Sequence, residues 1–211
     1  MKKALLISGG SSSEEVIEKY REDSYIISVD SGAGILRKMN IEPDLFIGDF
    51  DSIDDISRKM LDSESSEVIK VKAEKDETDT ELAVIAALER GFKEIVMVGA
   101  TGTRLDHTLG NMSLLSKIET AGAKGLIADG HNEIRFTSGY LKVKKDPGFK
   151  YLSIIPFGGN ASGISIKGTK YEADSIEIES DSVIGVSNEI TADFAEIEVK
   201  EGKLLVIKSK D

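Results

Sequence analysis

The chain contains no cysteine, which excludes disulfides, thiolate metal ligands and a thiol nucleophile. It is also short of positive charge: 27 lysines and arginines stand against 38 aspartates and glutamates, giving a formal net charge of -11. That balance works against nonspecific binding to nucleic acid or to an anionic membrane, so a polyanionic ligand needs a metal or a local basic group. Long apolar runs are missing too. None approaches the roughly 20 residues of a transmembrane helix, and the apolar stretch after Met1-Lys2-Lys3 is too short for a signal peptide, so a cytoplasmic protein is expected. The turn Ser8-Gly9-Gly10-Ser11 lacks the Gly-Lys-Ser/Thr ending of a P-loop, although its backbone N–H groups could meet an anion.

What is present is a chain of 211 residues, 40% hydrophobic, enough for a substantial core. Short apolar runs at residues 4–8, 25–30, 45–48, 67–71, 94–99 and 125–128 alternate with segments of helical spacing at 14–21, 34–39, 53–61, 80–90 and 109–121. This βαβα order predicts a Rossmann-like parallel α/β sheet. Gly91 and Gly122 sit just past two of the helical segments, where a left-handed cap favours glycine. After about residue 130 the pattern changes. Only strand-like runs follow, at 133–137, 141–143, 151–157, 164–167, 175–179, 194–199 and 203–208, predicting a smaller all-β domain of sandwich or barrel type. The expected domains are residues 1–131 and 132–211, and Lys200-Glu201-Gly202 reads as a hairpin turn joining the last two runs.

Three acidic clusters begin where apolar runs stop: Gly48-Asp49-Phe50-Asp51-Ser52, Lys75-Asp76-Glu77-Thr78-Asp79 and Arg104-Leu105-Asp106-His107-Thr108. Carboxylates at strand ends converge on one edge of an α/β sheet, where such folds bind ligands. Like charges gathered there repel unless a cation neutralises them, and hard oxygen donors favour Mg²⁺ on a substrate phosphate. In an extended chain the i, i+2 spacing aims Asp49 and Asp51 to one side, suiting them to a metal. Alternatively, Asp51 or Ser52 caps a helix opening at Ile53. Thr78 and Glu81 have capping-box spacing, which makes Glu81 a helix cap and leaves Asp79 as the best third metal carboxylate. Arg104 offers a planar fork for phosphate, and Asp106 a hydrogen-bond acceptor or a cap. Asp30 ends another strand on the same presumed edge. His107 is given no catalytic role.

These segments, with Asp30-Ser31-Gly32-Ala33, Gly102 through Asn111 and Gly185-Val186-Ser187-Asn188-Glu189, resemble in order the motifs of the thiamine pyrophosphokinase family along nearly the whole chain. The resemblance implies an α/β domain followed by a β domain, a homodimer with active sites at the subunit interface, and Mg²⁺-dependent transfer of pyrophosphate from ATP to thiamine with release of AMP. It implies Asp49, Asp51 and Asp79 as metal ligands and, with Asp106, as catalytic residues. It places Asp30, Lys75, Asp76, Thr78, Arg104 and Asn111 in the ATP and thiamine pocket, and draws Ser187 and Asn188 from the β domain for thiamine. Thr103 and Thr169 depart from the family pattern. Two other readings compete: a nucleotide-sugar glycosyltransferase with an Asp-x-Asp metal site, which gives no account of the second and third clusters, and a nonenzymatic nucleotide or metal sensor.

Overall fold

The computed structural model describes residues 2–50, 66–72, 74 and 76–211. The chain divides into two compact units, Met1–Gly130 and His131–Asp211, each with its own core.

Among its described residues the first unit forms a parallel sheet of six strands, β1 (Lys3–Ile7), β2 (Ser24–Val29), β3 (Leu45–Gly48), β4 (Glu67–Lys70), β5 (Glu94–Val98) and β6 (Lys124–Ala128), in spatial order β4-β3-β2-β1-β5-β6. Its helices are α1 (Glu14–Arg21), α2 (Ala33–Lys38), α3 (Asp79–Glu89) and α4 (Leu105–Thr120), with one 3-10 turn at Asp30–Gly32. Strands buried on both faces need apolar residues at successive positions, and β1 and β5 supply them. On one face Leu5, Ile7, Ile26, Val96 and Val98 pack with Ile17 of α1 and Leu36 of α2. The alternate residues Leu6, Ile27, Ile95 and Met97 are fully buried as well, and strand alternation turns them to the opposite face. At Gly125 of β6 an added Cβ would come within 2.8 Å of Leu115 Cδ2, so α4 lies close against the sheet there. Gly91 and Gly122 adopt φ of 78° and 70° and close α3 and α4 as the sequence predicts.

The strand order fixes where a ligand can enter. From β1 the chain steps outward through β2 and β3 to β4, then returns to place β5 on the other side of β1. The order reverses between β1 and β5, and the carboxyl ends of strands at such a switch point are where α/β sheets take ligands.

The second unit is all β. Strands β7 (Asn132–Thr137), β13 (Leu204–Ser209) and β9 (Tyr151–Pro156) pair antiparallel, and β11 (Ala173–Ile178), β10 (Ala161–Lys167), β12 (Phe194–Glu198) and β8 (Tyr140–Lys144) form a second antiparallel sheet. Both contribute to one core containing Leu152, Ile154, Ile164, Ile197 and Val206. The sandwich matches the all-β expectation, but the hairpin does not form. β12 pairs with β8 and β10 while β13 pairs with β7 and β9, so Lys200-Glu201-Gly202 carries the chain from one sheet to the other. Two further expectations shift. Helix α4 begins at Leu105, one turn ahead of the expected start at Leu109, because the intervening Asp106, His107 and Thr108 are polar and interrupt the apolar pattern. The predicted helix at residues 53–61 lies outside the described residues.

Candidate active site

A cleft of about 320 Å³ opens at the crevice between β1 and β5. Its wall comes from four places in the sequence: Ser8, Gly9 and Gly10 after β1, Asp30 and Ser31 after β2, Thr78, Asp79 and Thr80 at the start of α3, and the residues from Gly99 to Arg104 with His107, Thr108 and Asn111.

The first and last of these segments are stitched together beyond the ends of their strands. The Ser8 amide donates to Val98 O at 2.8 Å, Gly10 to Gly99 O at 2.9 Å and Ser11 to Thr101 O at 2.6 Å. Glycine is required for this approach: a Cβ on Gly10 would fall 2.2 Å from Thr101 O, and one on Gly99, at φ 72°, only 2.1 Å from Ser8 O. The Gly10 and Ser11 N–H groups are thus already engaged. The first glycine turn therefore does not offer them to an anion, contrary to the sequence expectation.

The loop after β5 is held from its other side too. Buried Asn111 donates from Nδ2 to Ala100 O at 2.7 Å, and Thr108 Oγ1 accepts from Gly102 N at 3.2 Å while donating to Arg104 O. Elsewhere in the lining Thr78 caps α3 through a 3.1 Å bond from the Glu81 amide. Glu81 itself does not cap. Its carboxylate pairs with Lys117 of α4 at 2.5 Å, so only half of the capping box forms. Ser8 and Thr80, both buried, lie with their hydroxyls 3.3 Å apart and tie the start of α3 to the end of β1.

Among the sequence-predicted residues, Asp30, Thr78, Asp79, Arg104 and Asn111 line this cleft, while Asp49, Asp76 and Asp106 do not. Asp51 and Lys75 lie outside the described residues. Parallel register sets Val29 beside Ile47, so Asp30 and Asp49 finish neighbouring strands. The extended chain expected for Asp49 and Asp51 does not persist: β3 stops at Gly48, and Phe50 turns left-handed with φ 61°, its ring buried with Phe46 and Ala33. Among the described residues no three acidic or imidazole side chains are gathered closely enough to hold a metal ion.

Arg104 binds Asp106 with two donors, Nη2 to Oδ2 at 2.6 Å and Nε to Oδ1 at 3.3 Å. The pair is exposed. The guanidinium hydrogen bond, helped by the His107 backbone N–H, lowers the Asp106 carboxyl to about 2 and raises Arg104.

Ser187 and Asn188 belong to the second unit. Ser187 has φ 62°, an uncommon conformation for serine, and its amide donates to Ser153 Oγ at 3.0 Å. Asn188 Oδ1 accepts from the amides of Tyr171 and Glu189 at 3.0 and 2.8 Å, and Nδ2 donates to Tyr171 O and Thr169 Oγ1 at 2.8 and 3.2 Å. All four bonds an asparagine amide can make are therefore met within the protein. Thr169, the departure from the family pattern, is explained by this clamp: it is buried, and its hydroxyl also donates to Tyr171 O. Beside the clamp is an apolar cavity of about 600 Å³ lined by Leu152, Ile154, Ile166, Ile176 and Tyr171.

One functional candidate carries no family motif. Asp129 follows the buried run Leu126, Ile127 and Ala128 of β6, the same strand-end placement that marks Asp30 and Asp49, and its Oδ2 accepts from Thr101 Oγ1 at 2.8 Å.

Comparison with known proteins agrees with this architecture unit by unit. Residues 17–126 match the thiamin pyrophosphokinase catalytic domain and residues 132–204 the thiamin pyrophosphokinase vitamin B1 binding domain. The chain is 34% identical over 191 residues to thiamine pyrophosphokinase of Bacillus subtilis, covering 90% of this chain and 89% of that protein. The crystal structure of thiamine pyrophosphokinase from Bacillus subtilis superposes with a TM-score of 0.91 at 31% identity, covering 100% of both chains. That of thiamin pyrophosphokinase from Geobacillus thermodenitrificans gives 0.88 at 30% identity, over 100% of this chain and 98% of the other. With both domain models matched in order and a relative above 30% identity along most of its length, the chain belongs to the thiamine pyrophosphokinase family.

Proposed function

We propose that this protein is a thiamine diphosphokinase that uses ATP and Mg²⁺ to pyrophosphorylate the hydroxyl of thiamine. The observation that carries the reading is the cleft at the ends of β1 and β5, lined by Asp30, Asp79 and Arg104, in a chain of this family.

In the reaction the thiamine hydroxyl oxygen bonds to the β-phosphorus of ATP, and the bond from that phosphorus to the oxygen bridging the α-phosphate breaks. AMP leaves with the bridging oxygen, and the hydroxyl proton passes to a base. Primary alcohols are weak nucleophiles, so most of the rate must come from positioning and from neutralising phosphate charge. Arg104 is suited to neutralisation, because its bonds to Asp106 use Nε and Nη2 and leave Nη1 for a phosphate oxygen. Asp106, with its carboxyl lowered to about 2, is a poor proton acceptor at neutral pH. Asp79, which lines the cleft, is the better candidate base.

Carboxylate oxygens at strand ends, in a chain without cysteine, form a donor set suited to a hard cation. Asp49, Asp51 and Asp79 would hold Mg²⁺, which supplies charge neutralisation on the ATP phosphates when bound. Asp76, Lys75, Thr78 and Asn111 complete the nucleotide side of this reading, Asn111 by holding the loop after β5 rather than by reaching outward. Ser187 would meet thiamine, held in place by Asn188. Homodimerisation is part of the proposal, supported by exposed apolar side chains at Leu105 and Leu109 and at Val183, Ile184 and Val186. Action in the cytoplasm fits an ATP-using, cysteine-free chain in which no helix among the described residues is long and apolar enough to cross a membrane.

Incubation with thiamine, ATP and Mg²⁺ should give AMP and thiamine diphosphate in equal amounts. AMP formed without thiamine, or none formed at all, would reject the reading.

A further inference from the structure

The loop after β5 is hydrogen-bonded to three other segments: the turn after β1, helix α4 and the end of β6. Thr101 is the hub. Its hydroxyl donates to Asp129 Oδ2 at 2.8 Å, and its carbonyl accepts from Ser11 N at 2.6 Å. Thr101 lines the cleft whereas Asp129 does not. We infer that Asp129 is a positioning residue for the nucleotide cleft, acting through Thr101, a role that rests on the proposed ATP site and adds a residue to it.

A threonine hydroxyl bonded to a carboxylate is locked in one χ1 rotamer, and the charge-assisted bond is stronger than one between neutral groups. Fixing χ1 at Thr101 also fixes the peptide that follows β5, because the same residue's carbonyl is committed to Ser11. Ala100, one residue earlier, is fixed from α4 by Asn111. Asp129 and Asn111 thus hold the loop from two different elements, and the loop in turn holds Gly10 and Ser11. Removing the Asp129 acceptor leaves the Thr101 hydroxyl to seek another partner in a half-buried setting. Lip and floor of the cleft can then drift together without any ligand contact being deleted.

Such a role has a distinct signature. A residue that acts only on cleft shape should change ATP affinity and spare thiamine. Asp129→Ala is expected to weaken ATP binding, measured by calorimetry with Mg²⁺ present, by about tenfold, the scale of one lost charge-assisted hydrogen bond. The KM for ATP should rise in parallel, while the KM for thiamine and the melting temperature stay close to wild type. Asp129→Asn keeps an acceptor for Thr101 and should restore most of the affinity. Thr101→Val removes the hydroxyl at nearly constant volume and should match Asp129→Ala, and the double variant should be no worse than either single one.

The inference is overturned if Asp129→Ala binds ATP as tightly as wild type, if Asp129→Asn is as weak as Asp129→Ala, or if the two substitutions multiply. Should Asp129→Ala not fold, Thr101→Val compared with Asp129→Asn decides the matter. A wild-type protein that binds ATP but forms no thiamine-dependent AMP defeats the transfer reaction alone, and the binding series still decides the role of Asp129.

Discussion

The two units use polar side chains in opposite ways. In the α/β unit polar groups gather at the carboxyl edge of the sheet, where Asp30, Asp79 and Arg104 face a cleft. In the β unit they close on one another. Glu133 and Lys208 form a buried ion pair across β7 and β13 at 2.8 Å, with Arg135 on the same carboxylate at 3.1 Å, and Asn188 saturates its amide on two turns. The same residue types thus line a cleft in one unit and serve internal cohesion in the other. What separates them is whether the side chains line a cleft or face one another across strands.

That contrast can be broken most severely at Asp79. Asp79→Asn should lower kcat by a factor of about 100 or more with the melting curve unchanged, since it removes a carboxylate facing the cleft without emptying any core position. Wild-type turnover in this variant would remove Asp79 from both the metal and the base roles. In the β unit the comparable change is Glu133→Gln, which strips a charge from a pair whose side chains are 4% and 8% exposed. Lys208 then keeps only its longer 3.8 Å pair with Asp146, and the loss should cost about 2 kcal/mol in a urea denaturation, with no effect on ATP affinity.

A smaller effect is expected at Asn188. Asn188→Ala leaves the Tyr171 and Glu189 amides without their partner and takes one of two donors from the Tyr171 carbonyl, and should destabilise the protein by about 2 kcal/mol. If Ser187 depends on this clamp, the KM for thiamine should rise as well. A change in stability with no change in that KM would confine Asn188 to the fold.

The smallest effect is the titration of Asp106. Its folded pKa of about 2 lies below the ordinary aspartate value of about 3.9. The native state therefore favours the charged form, and the stabilisation is present above about pH 4 and lost as pH falls through 2. NMR titration of the side chain should find the midpoint near 2, and Arg104→Ala should return it toward the ordinary value. An Asp106 midpoint indifferent to Arg104 would remove the ion pair as its cause.

Much of the fold is legible in local pattern because burial on both faces imposes it. The run from Glu94 to Val98 has to be an interior strand, and Gly91 and Gly122 mark helix ends that only a positive φ can make. The hairpin expected at Gly202 fails for a different reason: strand pairing is decided by distant partners, β7 and β9 for β13, which a turn signal does not encode. Helix α4 extends a turn further than expected because Asp106, His107 and Thr108 are polar and mask its start in the apolar pattern. At the site, the acidic residues are visible as strand ends, yet the division between Asp79 in the cleft and Asp106 outside it depends on Arg104 folding back onto its own helix. Asp129 shows no motif at all, and its inferred role rests on a contact with a residue 28 positions away.

The bonds from Gly10 and Ser11 to the loop after β5 bear finally on the energetics of ligand entry. Amides engaged with main-chain carbonyls should exchange slowly with deuterium, at rates nearer those of the central strands than of a surface turn. A floor so ordered before the nucleotide arrives loses little conformational entropy when it binds. Association should then approach a simple one-step process, and the slower rearrangements of a catalytic cycle must arise elsewhere in the chain.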